Sequence, residues 1–130
     1  MLITVGNTGK LVVSVGQGNN NIATGNTSPG AQFVGVSGHG NNTIDVASTS
    51  PAEILVFGNG NHHVSAAGAG DFVELLGNGN NRVQDTGTND LIWLGGDGNN
   101  DIDNQGAGSF TEILAGTGHN HIRGLWGFAP

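Results

Sequence analysis

The sequence predicts an all-β fold: a right-handed parallel β-solenoid (β-roll) of about six coils, with two short strands per coil. A glycine-rich motif recurs six times at nearly constant spacing along the 130 residues. Short runs of apolar, β-prone residues lie between its copies. Charged residues make up 10% of the chain, against about 25% in ordinary globular domains. Repeats of about twenty residues with so little charge are typical of stacked coils, each covering the apolar side chains of its neighbour.

The repeated motif reads Gly-x-Gly-[Asn/His]-[Asn/His]-x-[Ile/Val]. Successive copies start 22, 20, 19, 19 and 20 residues apart, and they begin at Gly16, Gly38, Gly58, Gly77, Gly96 and Gly116. Glycine and asparagine tolerate the left-handed backbone of tight turns, so the first half of the motif predicts a turn. The aliphatic residue that ends each copy marks the strand that follows.

A looser half-repeat lies between the copies, as in PAEILVFG and GTNDLIWLGG. Each of these segments is a turn of small residues followed by four or five β-prone residues. Frequent glycine and the lack of a 3.6-residue period exclude helices, so one coil is a turn, a strand, a second turn and a second strand. Either alternation of FVELL and LIWLG buries apolar side chains, so the inward register of this half-coil is left open.

Stacking the coils at the strand spacing of about 4.8 Å aligns equivalent residues in columns. The aliphatic positions form the predicted core column: Ile22, Ile44, Val64, Val83, Ile102 and Ile122. The asparagine pairs form two predicted structural ladders of stacked amides: Asn19, Asn20, Asn41, Asn42, Asn61, Asn80, Asn81, Asn99, Asn100 and Asn120. Histidine replaces asparagine in these columns at His62 and His119.

Length and composition predict a single solenoid domain, 1–130, in which residues 124–130 form a C-terminal tail outside the repeat. The net charge is −7 with only three lysines and arginines, which argues against nucleic acid as a partner. No apolar run approaches the roughly 18 residues of a membrane span, so no membrane insertion is expected. Cysteine is absent, which excludes disulfides and thiolate metal sites. No secretory signal peptide is visible.

The repeats resemble the calcium-binding nonapeptides of RTX (hemolysin-type) proteins, Gly-Gly-x-Gly-x-Asp-x-U-x, where U is a large aliphatic residue. The closest stretch is GGDGNNDID, 95–103, and the likeness extends over 6–123. It implies a β-roll with calcium in its turns and an extracellular or cell-surface location. The calcium-ligand position, however, holds asparagine or histidine in all six copies: Asn20, Asn42, His62, Asn81, Asn100 and Asn120.

Neutral amides supply too little charge for tight calcium binding, so we expect no cofactor to be required. In the other half-coil, Lys10 takes the ligand position of the first coil. Calcium is kept as a possible ligand, with five weak candidates that carry carboxylates: Asp71, Asp90, Asp97, Asp101 and Asp103.

Catalytic and zinc chemistry find little basis in the sequence. Arg82 with Asp101 and Asp103 is the one cluster suited to carbohydrate cleavage, and we interpret it as exposed charges on successive coils. The histidine pairs 62–63 and 119–121 lie three coils apart, about 15 Å on the strand spacing. One zinc ion cannot bridge that distance. We therefore expect a protein that is not an enzyme.

The leading functional hypothesis is a structural subunit that self-assembles head to tail into an extracellular filament, sheath or matrix, so that its partner is itself. We expect close to a whole number of coils and no polar cap, which leaves open sheet edges at both ends. The residues assigned to these ends are Leu2, Ile3, Val5, Trp126 and Phe128. Whether the two aromatic residues cap the end or dock onto a neighbour is left open.

Two alternatives belong to other classes. The first is a calcium-responsive RTX-like binding module. The second is an ice-binding solenoid, which needs a regular threonine column on a flat face. Thr27, Thr49 and Thr88 share one offset from the motif, but Ala69 and Ala107 interrupt that column.

Overall fold

A computed structural model describes residues 1–7, 11–26, 30–115 and 117–124. All regular structure in these residues is β-strand. The described residues contain no helix that could span a membrane. The strands are β1 (Leu2–Asn7), β2 (Leu11–Val15), β3 (Asn21–Asn26), β4 (Gln32–Ser37), β5 (Thr43–Ser48), β6 (Ala52–Phe57), β7 (His63–Ala66), β8 (Phe72–Leu76), β9 (Arg82–Asp85), β10 (Leu91–Gly96), β11 (Asn100–Asn104), β12 (Phe110–Ala115) and β13 (Asn120–Gly124).

Successive strands alternate between two parallel sheets. Sheet A has the order β1-β3-β5-β7-β9-β11-β13, and sheet B has the order β2-β4-β6-β8-β10-β12. Each strand pairs with the equivalent strand of the next coil, so that Val64 lies between Ile44 and Val83. This confirms the predicted right-handed parallel solenoid of about six coils with two strands per coil.

The expectation of a whole number of coils is wrong for the described residues. Seven strands lie in sheet A and six in sheet B, because β1 already belongs to sheet A. Ile3 of β1 pairs with Ile22 of β3, which extends the core column by one position at the N-terminal end. The described chain therefore begins and ends in the same sheet.

The core lies between the sheets and is filled by one alternation of each strand. From sheet A, the five predicted residues that are completely shielded from solvent are Ile22, Ile44, Val64, Val83 and Ile102. From sheet B, Val73 and Leu75 of FVELL and Ile92 and Leu94 of LIWLG point inward. Each buried aliphatic side chain contributes about 1.5–3 kcal/mol to stability.

Ile122 departs from the predicted core column. It pairs with Ile102, but it is 45% exposed. The reason is its place on β13, the last strand of sheet A, beyond which no described strand stacks. Its assignment to the buried core is therefore wrong for this chain by itself.

Candidate functional site

One column of the motif turns forms what we call the inner ladder: Asn20, Asn42, His62, Asn81, Asn100 and Asn120. All but the last are buried. The Asn81 Nδ2 amide donates to Asn100 Oδ1 at 3.0 Å, and Asn100 Nδ2 donates to Asn120 Oδ1 at 2.7 Å. Side-chain amides thus bond to each other along the axis and replace the solvent that burial removes.

The neighbouring asparagine column, the outer ladder, uses other partners. The Asn41 N–H donates to Asn19 Oδ1 at 2.8 Å, and the Asn80 N–H donates to Asn61 Oδ1 at 2.9 Å. The sequence predicted amide stacking here, whereas these side chains point outward and accept from the backbone of the following coil. In the inner ladder the direction is reversed. The Asn81 backbone N–H donates to the side-chain oxygen of Asn100, which belongs to the following coil. Each turn is therefore bound to both of its neighbours.

A third ladder was not predicted. It occupies the variable position of Gly-x-Gly: Gln17, His39, Asn59, Asn78, Asp97 and Thr117. The Asn78 N–H donates to Asn59 Oδ1 at 3.0 Å, and the Asp97 N–H donates to Asn78 Oδ1 at 2.9 Å. The sequence could have revealed this ladder, because every residue at this position carries a side-chain hydrogen-bond acceptor.

His62 fits the inner ladder as a neutral ring. Asn42 Nδ2 donates to His62 Nδ1 at 3.1 Å, and His62 Nε2 lies 3.3 Å from the Gly58 carbonyl oxygen. These partners assign the ring proton to Nε2, because Nδ1 must accept. Burial lowers the pKa of His62, and the bond to Gly58 opposes this shift only in part. Protonation would place a second donor against the Asn42 amide.

Replacing His62 by Asn should remove a loss of stability at acidic pH. The unfolded chain binds the His62 proton more readily than the folded chain, so wild-type stability falls as the pH drops below the ordinary value of 6.5. In urea titrations, we expect the free energy of unfolding of His62→Asn, relative to wild type, to be constant near pH 8 and to rise as the pH falls through 6.5 to 5. The exposed neighbour provides the control variant His63→Asn, which should follow the wild type. Parallel profiles for His62→Asn and wild type would contradict the prediction.

The opposite turns contain a second polar group, the aspartate cluster: Asp71, Asp85 and Asp90. Asp71 and Asp90 directly precede β8 and β10 in sheet B, whereas Asp85 ends β9 in sheet A. One carboxylate oxygen of each lies within 4.8 Å of the others. The three residues are 1%, 0% and 2% exposed, respectively.

Backbone N–H groups hold the cluster in place. Asp71 accepts from the N–H groups of Ala52 at 2.8 Å and Gly68 at 2.9 Å. Asp90 Oδ1 accepts from the Asp71 N–H at 2.7 Å. Asp85 Oδ1 accepts from the Gly87 N–H at 3.0 Å, whereas its buried Oδ2 has no hydrogen-bond donor.

The electrostatics of the cluster disfavour three negative charges. Burial raises the pKa of Asp71, and burial together with the Asp90 and Asp71 carboxylates raises the pKa of Asp85 to about 7. In the described chain, the ion pairs join Asp101 to His121 at 3.2 Å and to Arg123 at 3.7 Å, and neither pair includes a residue of the cluster. No described cation therefore compensates the buried carboxylates.

The structure separates the five predicted calcium candidates. It brings Asp71 and Asp90 together, but Asp97 belongs to the third ladder, and Asp101 and Asp103 lie outside the core on β11. Asp85 was missed, although it lies two residues after Val83 and therefore on the inward side of the same strand. A strict two-residue alternation from the core column would have placed Asp85 inward, but not beside Asp71 and Asp90.

The residues assigned to the assembly ends are only partly described. Leu2 is 71% exposed, whereas Ile3 and Val5 pack against the core. Three predicted positions lie outside the described residues, namely Lys10, Trp126 and Phe128, as does Thr27 of the threonine column.

Comparison with known proteins adds no relative. No protein-family model matches the chain, and neither the curated proteins nor the solved structures contain a significant match.

Proposed function

We propose that this protein is a structural subunit that stacks head to tail through its solenoid ends to build an extracellular filament, sheath or matrix. The observation that carries the proposal is the match between the two open edges of sheet A. At the β1 edge, the Met1 carbonyl accepts from the Asn21 N–H at 2.7 Å. Since backbone groups alternate in direction along a strand, Leu2, Thr4 and Gly6 point their N–H and C=O groups away from β3.

The β13 edge has the complementary alternation. The Asn100 N–H donates to the His119 carbonyl at 3.2 Å, so Asn120, Ile122 and Gly124 direct their backbone groups away from β11. A second copy with its Leu2 beside His121 would pair all of these groups in the register of the earlier coils. The same placement would set Ile3 of the second copy on Ile122. It would then cover the aliphatic side chain that is 45% exposed in one copy.

Sheet B adds a constraint on this junction. Sheet B has one described strand fewer than sheet A. In the proposed stack, one strand position of sheet B would therefore be unfilled between β12 of one copy and β2 of the next. Residues 125–130 follow β13 at the point in the chain where each earlier coil passes into sheet B. They are the segment to delete in testing whether the C-terminal tail assists or opposes stacking.

The calcium-responsive RTX-like alternative receives less support in the motif turns. There the ligand position is occupied by amides and an imidazole that already bond to each other, as in the pairs Asn20–Asn42 and Asn81–Asn100. The geometry thus supports a ladder that holds the turns without an ion.

Thr4→Pro should prevent assembly without unfolding the subunit. Thr4 is exposed, and its N–H faces the open edge, so proline removes a donor that the single copy does not use. We expect wild-type protein to form filaments that grow with concentration in light scattering. Seven strand spacings predict an axial repeat of roughly 34 Å in electron micrographs. The variant should remain monomeric with an unchanged β-sheet circular dichroism spectrum.

Thr4→Val is the matched control, because it changes the side chain and keeps the N–H group; it should still assemble. A wild-type protein that stays monomeric at high concentration would refute the proposal. So would filaments whose subunits touch only along their sides. Deleting 125–130 should accelerate assembly if the tail caps the end and slow it if the tail contributes to the junction.

A further inference from the structure

The aspartate cluster lies in the core at the turn opposite the Asn ladders, and it has the geometry of a cation site. Its three carboxylates come from both sheets and from two successive coils, and they converge to within 4.8 Å. Calcium binds oxygen at about 2.3–2.6 Å, so two ligands on opposite sides of the ion are up to about 5 Å apart. Three oxygens that lie within 4.8 Å of one another are at most about 2.8 Å from a common centre, so a single ion there is close to contact distance from all three carboxylates.

The charge of the cluster must be compensated. Burying an ionised carboxylate is costly unless it is paired, and no described lysine or arginine reaches these three. Four backbone N–H groups, those of Ala52, Gly68, Asp71 and Gly87, donate to carboxylate oxygens, and such bonds favour the ionised form. In that form Asp85 Oδ2, which is fully buried, finds no donor and is free to bind a cation.

The turns leave room for this arrangement. A side-chain carbon at Gly68 would lie 2.6 Å from Asp71 Oδ1, and one at Gly87 would lie 2.7 Å from Asp90 Oδ2. Glycine at both positions keeps that space open.

We propose that Asp71, Asp85 and Asp90 bind one Ca²⁺ ion inside the solenoid, where it joins sheet A to sheet B and one coil to the next. The oxygen-only ligand set excludes a preference for zinc, which favours nitrogen and sulfur. The burial of all three aspartates disfavours Mg²⁺, which gives up its water reluctantly. This inference is independent of head-to-tail assembly, because the site lies in the interior of one chain and away from both open edges.

The test uses the whole chain after treatment with chelator. The pH is 8, which is above the raised pKa of Asp85, so that the carboxylate is ionised. We expect CaCl₂ to raise the melting temperature more than MgCl₂ does, and titration calorimetry to give one Ca²⁺ per chain. Loss of a residue that only supports a metal ligand lowers metal affinity by roughly 10–100-fold. Asp85→Asn removes a direct ligand, so it should weaken Ca²⁺ binding by at least that factor. In chelator, the same variant should melt no lower than wild type, because it has lost a buried charge.

Asp97→Asn is the matched control, since it removes an acid outside the cluster and keeps the oxygen that the third ladder uses; its calcium response should equal that of wild type. The proposal is overturned if millimolar Ca²⁺ neither binds nor shifts the melting temperature, which would mean that protons alone neutralise the cluster. It is also overturned if Asp85→Asn responds to Ca²⁺ as wild type does. The wild-type stoichiometry keeps the test decisive even if the variant fails to fold.

Discussion

Gly79→Ala is expected to lower the free energy of unfolding by more than about 4 kcal/mol, an exceptional cost for one substitution. Gly79 has a φ angle of +146°, which L-residues with a side chain rarely adopt. A Cβ atom there would overlap the carbonyl oxygen of Gly60 and lie 2.7 Å from its carbonyl carbon. Both obstacles are backbone, and the Gly79 N–H is held by the Asp97 carbonyl at 2.9 Å, so neither turn can move without breaking the stack.

Gly25→Ala provides the control for this prediction. Gly25 lies on the exposed side of β3, and a Cβ there meets nothing within 4 Å. Alanine should be neutral or stabilise the protein by about 0.4–1 kcal/mol, since it restricts the unfolded chain. Urea unfolding of both variants checks the pair. Equal midpoints for Gly79→Ala and Gly25→Ala would show that successive turns do not approach each other as closely as described.

Val83→Asp should abolish the β-sheet circular dichroism spectrum or cost several kcal/mol of stability. Val83 is fully buried on β9 between Val64 and Ile102, the middle of the sheet A core column. An aspartate there must either bury an unpaired charge or remain protonated without a partner for its hydroxyl, and both are unfavourable. It also removes the packing of a branched aliphatic side chain.

Thr43→Asp introduces the same charge on sheet A at an exposed position, where the register neighbours are Asn21 and His63. Its unfolding midpoint should differ little from wild type. A folded Val83→Asp variant with the same midpoint as Thr43→Asp would contradict the inward placement of the column.

The regularity of the repeat explains how much of the fold could be predicted. Six copies of one motif impose the same turn and the same inward aliphatic residue on every coil, so Ile22, Ile44, Val64, Val83 and Ile102 align without knowledge of any other contact. The inner ladder follows from the same spacing, because identical amides repeated along an axis can donate to one neighbour and accept from the other.

Other features depend on contacts that spacing does not encode. Both alternations of FVELL and LIWLG are apolar, and packing against sheet A selects the one that buries Val73, Leu75, Ile92 and Leu94. The outer ladder bonds to backbone rather than to amides, because the turn conformation decides where each side chain points. Ile122 matches the core pattern and is exposed only because of its place at the end of the stack.

The aspartate cluster shows the division most clearly. Local sequence by itself determined that Asp71 and Asp90 stand at equivalent turn positions one coil apart. Only the tertiary structure decided that Asp85 joins them, because that contact depends on how the end of a sheet A strand approaches the start of the sheet B strands across the core. Repetition along the chain specifies neighbours along the solenoid axis, whereas neighbours across the core depend on the distance between the two sheets, which the packed side chains set together.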